Sequence, residues 1–278
     1  MIQWSVKGGG VIGPAPFLIA GIVNITPDSF FDGGKYHAPA QAAAHAALLL
    51  DQGAHILDLG GESTRPFAAP VDASIEISRV IPVMEQILKA RPDTNISVDT
   101  YKARVAKKCL QSGAVIINDI SACRFDPELL DVLVEHKPGY VLMHALDRPE
   151  RMQNDPVYDN VAKEILTFFE KKLNQLVRAG LPEDRIVLDP GIGFGKTLEH
   201  NLEILRHIES FTVLDRPLYI GLSNKSMWGK MLGLELKERV LPTQVAVALM
   251  AAKNVRIHRV HDVQLTSNTL KTVENICS

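Results

Sequence analysis

Polar side chains that end an apolar run are the places where this chain can do chemistry. Asp99, the pair Asn118 and Asp119, and Asp189 each close such a run, and Lys225 stands in the segment Gly221-Leu-Ser-Asn-Lys-Ser226. A carboxylate accepts two N–H bonds from an amino-amidine edge. An amide both donates and accepts, and an ammonium supplies donors to a carbonyl or ring nitrogen. This set suits a flat polar heterocycle. Buried acids left alone are costly, so pairing with Lys225 or Arg259 is the alternative these residues leave open, most of all for Asp119.

A second set suits an anion. Gly60-Gly-Glu-Ser-Thr-Arg-Pro66 offers backbone N–H groups, the hydroxyls of Ser63 and Thr64, and the Arg65 guanidinium, all of which bind phosphate well. In Arg259-Val-His-Asp262, strand alternation aims Arg259 and His261 the same way. Asn24, at the end of the first long apolar run, can offer an amide oxygen to Mg2+, which prefers hard oxygen ligands and shares them with phosphate. The loop after Asn24 carries Phe30 and Phe31 among polar residues, which fits a lid over ligand as well as a loop tucked onto its own scaffold.

Other motifs are weaker. Asp189-Pro-Gly-Ile-Gly-Phe-Gly-Lys-Thr197 resembles a phosphate loop, but Pro190 stands where a Walker A glycine is needed, and Gly191, Gly193 and Gly195 miss the Rossmann spacing. It reads instead as a glycine-rich loop presenting Phe194. Met143 and His144 end another apolar run and read as core and as a satisfied structural histidine, and the remaining histidines form no metal spacing. Neither Ser63 nor Ser226 sits in a G-x-S-x-G elbow, which argues against a serine hydrolase.

The elements that must position these groups alternate strand with helix. Short apolar runs suited to buried parallel strands occupy 17–23, 55–59, 95–98, 114–117, 140–143, 185–188, 217–222 and 255–260. Helical periodicity occupies 40–52, 73–90, 102–111, 127–136, 161–179, 198–207, 241–252 and 263–276. In the fifth of these, Val161, Ile165, Phe168, Phe169, Leu173, Leu176 and Val177 make one face, with Gly180 placed as a C-terminal cap. This predicts a single-domain α/β protein, a closed TIM-type (β/α)8 barrel over 17–278 in preference to an open eight-stranded sheet, with 1–16 as a hairpin or plug. Its active site would lie on the rim at the strand ends.

Composition narrows the partners. The 278 residues carry 30 basic and 32 acidic side chains, spread without a basic block, so no nucleic-acid partner is expected. Cys109, Cys123 and Cys277 form no short spacing and read as buried free thiols. The first residues lack the apolar core of a signal peptide, and apolar runs stop well short of about 18 residues. A cytoplasmic protein with no membrane partner is the expectation.

In order along the chain, NITPDSFFDGG, GGESTRP, SVDTYKA, INDIS, LMH, LDPGIGFGKT with HNLEIL after it, GLSNKS and RVHDV closely resemble the dihydropteroate synthase family, spanning Asn24 to Val263. The resemblance implies a homodimeric (β/α)8 transferase that joins a pterin diphosphate to 4-aminobenzoate and releases pyrophosphate. It implies Asn24, Thr64, Arg65, Arg259 and His261 at the diphosphate, with Mg2+ on Asn24. Asp99, Asn118, Asp189 and Lys225 would then meet the pterin edge, with Ile120 and Met143 lining its slot. Pro66, Phe194 and Ser226 would shape the 4-aminobenzoate site, with Arg65, Arg259, His261 and Lys225 serving catalysis. Two departures fall near that last site: Asn224 where the family usually has Arg, and Phe67 where it usually has Gly. Affinity for 4-aminobenzoate and for sulfonamide mimics is where these departures bear. A corrinoid-dependent methyltransferase would share the acidic slot but has no use for the anion rim, and a non-catalytic paralogue would release no pyrophosphate.

Overall fold

A parallel strand buried on both faces needs a continuous apolar run, and the barrel is assembled from such runs. In the computed structural model, which describes residues 1–26 and 34–277, eight of them pair in parallel. They are β3 (Leu18–Asn24), β4 (Ile56–Gly60), β5 (Ile96–Asp99), β6 (Ile116–Asp119), β7 (Gly139–Met143), β8 (Ile186–Asp189), β9 (Tyr219–Ile220) and β10 (Ile257–Val260). The order β8-β7-β6-β5-β4-β3-β10-β9 is closed by the Leu188–Leu218 bridge and by Leu188 N–H donating to Pro217 O at 2.9 Å. Pro217 itself has no N–H to add to the ladder, and β9 is the shortest strand of the ring.

Helices α1 (Gly34–Asp51), α2 (Ala73–Ala90), α3 (Ala103–Gln111), α4 (Leu129–His136), α5 (Val161–Ala179), α6 (Leu198–Arg206), α7 (Ser226–Leu232), α8 (Val240–Ala252) and α9 (Val263–Cys277) follow the strands. Local chemistry sets several ends. Asn160 accepts from Lys163 N at 2.9 Å to start α5, and Gly180 at φ 112° ends it. Thr197 and His200 form a reciprocal cap on α6. The short α7, between Lys225 and Gly233, is an element that sequence periodicity does not foresee, and α1 begins ahead of the predicted residue 40.

The other end of the ring is stoppered. β1 (Ile2–Ser5) and β2 (Val11–Ala15) form an antiparallel hairpin. Its Ile2, Trp4, Val6 and Ile12 pack on the inward residues Leu18, Ile56, Ile116, Val141, Val187 and Ile257. Trp4 is 1% exposed and donates its indole N–H to Arg185 O at 2.8 Å. Gly139 is required here, since a Cβ would lie 3.0 Å from Val6 and 3.2 Å from Trp4. With this end closed by side chains, the strand C-termini form the one open mouth, and ladder register sets their level: Asn24 pairs with Gly60, Gly60 with Asp99, Asp99 with Asn118, and Met143 with Asp189.

Candidate active site

Strand alternation turns Asp58, Asp99, Asn118, Asp189 and Arg259 into the barrel, one step above the apolar layer that rests on the hairpin. Asp58 is fully buried and collects three donors: Ser97 Oγ at 2.6 Å, Asn118 Nδ2 at 3.0 Å and Arg259 Nε at 2.6 Å. Arg259 Nη2 donates to Asp99 Oδ2 at 2.8 Å. Burial alone would lower the Arg259 pKa, but Asp58 and Asp99 raise it above its ordinary value. Burial raises the Asp99 carboxyl against the pull of Arg259, and its Oδ1 is buried without a partner. That oxygen is an acceptor at the mouth wall awaiting a donor.

Across the mouth, Asp189 accepts from Gly191 N at 2.7 Å, and burial raises its pKa while that bond and Lys225 oppose the rise. Lys225 lies with its ammonium 4.5 Å from the centre of the Phe194 ring. Burial lowers it to about 8, with Asp189 acting the other way. Between these groups is a narrow cleft open to solvent, lined by Thr64, Asp99, Asn118, Ile120, Met143, Asp189, Phe194, Lys225 and Arg259. It has apolar sides and a polar edge, as a flat bicyclic heterocycle requires.

The rim groups stand beside it. His261 Nδ1 lies 3.0 Å from Ser223 Oγ, and burial together with Arg259, Arg65 and Lys225 lowers its pKa to about 4. It is therefore a neutral imidazole until an anion offsets those charges. Arg65 is exposed on the loop after β4. That loop is tied down by Glu62, which accepts from Val71 N at 2.7 Å, Tyr101 Oη at 2.8 Å and Lys102 Nζ at 2.5 Å. Asn24 Oδ1 faces the mouth above the bare Cα of Gly60 and has no hydrogen bond among the described residues. The Phe30 and Phe31 expectation lies outside the described residues.

Glycine spacing in the loop after β8 has a backbone cause. Gly191, Gly193 and Gly195 have φ of 70°, 84° and 72°, and a Cβ on Gly191 would meet His144 O at 1.9 Å. Every second residue thus adopts a left-handed conformation that only glycine takes freely. Lys196 then turns inward, donating to His144 O at 3.2 Å and Phe194 O at 3.0 Å and lying 3.0 Å from His144 Nδ1. Burial lowers Lys196 to about 7 and holds His144 well below its ordinary value, so His144 is the structural histidine expected.

Several expectations need correction. Asp119 turns away from the mouth and accepts from Ser121 N, Cys123 N and Tyr140 Oη at 2.7, 2.7 and 2.9 Å, because it follows the inward Asn118. Arg259 is not a free rim cation: two carboxylates hold it between slot and rim. Phe194, expected with Pro66 and Ser226 at the 4-aminobenzoate site, lines the slot, whereas Pro66 and Ser226 line a separate, adjoining cavity that shares Lys225 with it. Cys277 is exposed, unlike Cys109 and Cys123. Asp58 and Lys196 were missed. An acid inside the apolar run Ile-Leu-Asp-Leu-Gly was the available signal for Asp58, whereas nothing local marks Lys196.

A (β/α)8 barrel with an acid-lined flat slot beside a cationic rim is the architecture of a pterin-binding enzyme, and the family model described as pterin binding enzyme matches residues 20–261. The chain is 44% identical over 257 residues to dihydropteroate synthase of Bacillus subtilis, covering 92% of this chain and 87% of that protein. The Yersinia pestis dihydropteroate synthase solved with a sulfonamide drug complex superposes with TM-score 0.92 at 37% identity, covering 99% of both chains. The Xanthomonas albilineans enzyme solved with 4-aminobenzoic acid gives TM-score 0.91 at 35% identity, covering 98% of both. The chain belongs to the dihydropteroate synthase family.

Proposed function

We propose that this chain condenses (7,8-dihydropterin-6-yl)methyl diphosphate with 4-aminobenzoate to give 7,8-dihydropteroate and pyrophosphate. One observation carries the reading: Arg259, which bonds Asp99 at the slot, also stands among the rim cations and acts electrostatically on His261. A ring seated in the slot therefore places its diphosphate against positive charge. Asp99 Oδ1, Asn118, Asp189 and Lys225 bond the pterin edge, and Ile120 and Met143 pack on its faces. Thr64, Arg65, His261 and Nη1 of Arg259, which has no hydrogen bond among the described residues, receive the diphosphate. Pro66, Phe194 and Ser226 shape the arylamine site.

In the reaction the methylene C–O bond breaks and pyrophosphate leaves with the electron pair. The pterin ring delocalises the resulting cation. The arylamine nitrogen then forms the C–N bond and loses its proton to solvent. Arg65 and Arg259 stabilise the departing charge, and His261 gains a proton affinity it lacks without the anion; this is chiefly electrostatic catalysis. No strong base is needed, since the amine proton becomes acidic only after C–N bond formation.

Asn24 fits Mg2+: a single neutral amide oxygen with no acidic cluster among the described residues suits an ion that keeps waters and binds mainly through substrate phosphates. When bound, it would neutralise part of the diphosphate charge. A homodimer accords with α8, which is mostly apolar and leaves Leu241, Val245 and Leu249 exposed at helical spacing. A cytoplasmic protein accords with the free thiols, and no described helix is long and apolar enough to cross a membrane. The test is pyrophosphate release on mixing both substrates with Mg2+. Release that requires 4-aminobenzoate supports the reaction; pterin binding without release would leave a binding protein only.

A further inference from the structure

The cavity beside the slot has a charge balance that singles out a residue with no role so far. It is an open cavity of about 380 Å³, between Pro66 and Phe67 on one side and Ser226, Met227 and Lys230 of α7 on the other. Among the described residues no carboxylate lines it, whereas Lys196, Lys225 and Lys230 all do. Lys196 is spent on His144 and Phe194 carbonyls, 3.2 and 3.0 Å away. Lys225 lies over the Phe194 ring at 4.5 Å and is drawn toward Asp189. Lys230 has neither hydrogen bond nor ion pair among the described residues.

Two groups beside α7 do not supply another cation. Asn224 is uncharged, and its carbonyl accepts from Arg239 Nη1 at 3.3 Å. Arg239 Nη2 points to Leu234 O at 3.5 Å, so this guanidinium is turned into the α7–α8 connection. Ser226 and Lys230 are one helical turn apart and so share a face of α7. A hydroxyl and a long unpaired cation on one wall, facing a proline and an aromatic ring on the other, make a receptor for an aromatic acid.

We propose that Lys230 binds the carboxylate of the arylamine substrate at the outer end of this cavity. The proposal rests on the condensation inferred above and assigns the group that distinguishes the acid from a neutral arylamine. Lysine suits the position, because its stem can follow the apolar wall of Met227 while the ammonium stays at the solvent edge.

The test compares 4-aminobenzoate with its neutral isostere 4-aminobenzamide in steady-state pyrophosphate release. Lys230→Met should raise KM for 4-aminobenzoate by about two- to fivefold, the range of an exposed charge pair. KM for 4-aminobenzamide and for the pterin diphosphate should stay at wild-type values. Lys230→Glu should raise the 4-aminobenzoate KM further, and Lys230→Arg should recover most of the loss. Equal effects of Lys230→Met on both arylamines, or none on either, would overturn the assignment while leaving the reaction intact. No pyrophosphate release by the wild-type chain would overturn the reaction and the carboxylate anchor together.

Discussion

Arg259 shows why a single side chain resists a single role. Its bonds to Asp58 and Asp99 fix the guanidinium at the junction of slot and rim. Arg259→Ala would strand two buried carboxylates, a loss of several kcal/mol for broken buried pairs, and so would disturb ring and diphosphate alike. Lys225 is the cleaner probe. Its pKa of about 8 lies within reach of assay, and only the protonated form donates to a ring acceptor. kcat/KM for the pterin diphosphate should therefore fall about tenfold per unit above that pH, since this ratio reports the free enzyme. Lys225→Met should be slow at every pH and lack that alkaline limb. A limb that persists at pH 8 in Lys225→Met would assign it to another group. Phe67, at φ 65° and largely exposed, is the converse case: its backbone adopts a left-handed conformation that glycine takes freely and other side chains rarely adopt.

Among the elements, the loop between β8 and α6 is the most fully determined. Gly193 O accepts from Gln153 Nε2 at 2.6 Å, Gly195 O from Tyr158 Oη at 2.9 Å, and Gly193 N donates to Asn201 Oδ1 at 2.7 Å. A rigid loop holds Phe194 at the junction of the two cavities without needing ligand to order it. Gly191→Ala places a methyl 1.9 Å from His144 O at a left-handed backbone position, where a side chain costs about 1–2 kcal/mol before any clash. Calorimetric pterin affinity of this variant should drop at least tenfold, with a lowered melting temperature. Wild-type affinity in Gly191→Ala would show that the slot does not depend on this loop geometry.

For the whole molecule, the hairpin plug and the outer helices settle which surfaces remain to be used. The lower end of the barrel is filled by Trp4 and its neighbours, so function is confined to the opposite mouth. Helix α8 presents an apolar stripe to solvent, with Leu241 72% and Leu249 58% exposed. Light scattering should give twice the chain mass for the wild type. Leu241→Asp combined with Val245→Asp should give a folded monomer. A wild-type monomer at micromolar concentration would remove the dimer.

Strand order, helix order and the tier of polar residues at the strand ends were determined by the sequence alone. Buried parallel strands demand unbroken apolar runs, and any polar residue closing one must stand on the rim. Alternation turns Asp119 away from the mouth beside an inward Asn118, which a reading that took the pair together overlooked. Tertiary structure alone decided the partners: Arg259 meets Asp58 across 201 residues of chain, and Lys196 meets His144 across 52. It also decided that α7 forms and that Cys277 is exposed. Such pairings depend on how the ring closes, and no local pattern of residues encodes the distance between two strands far apart in the chain.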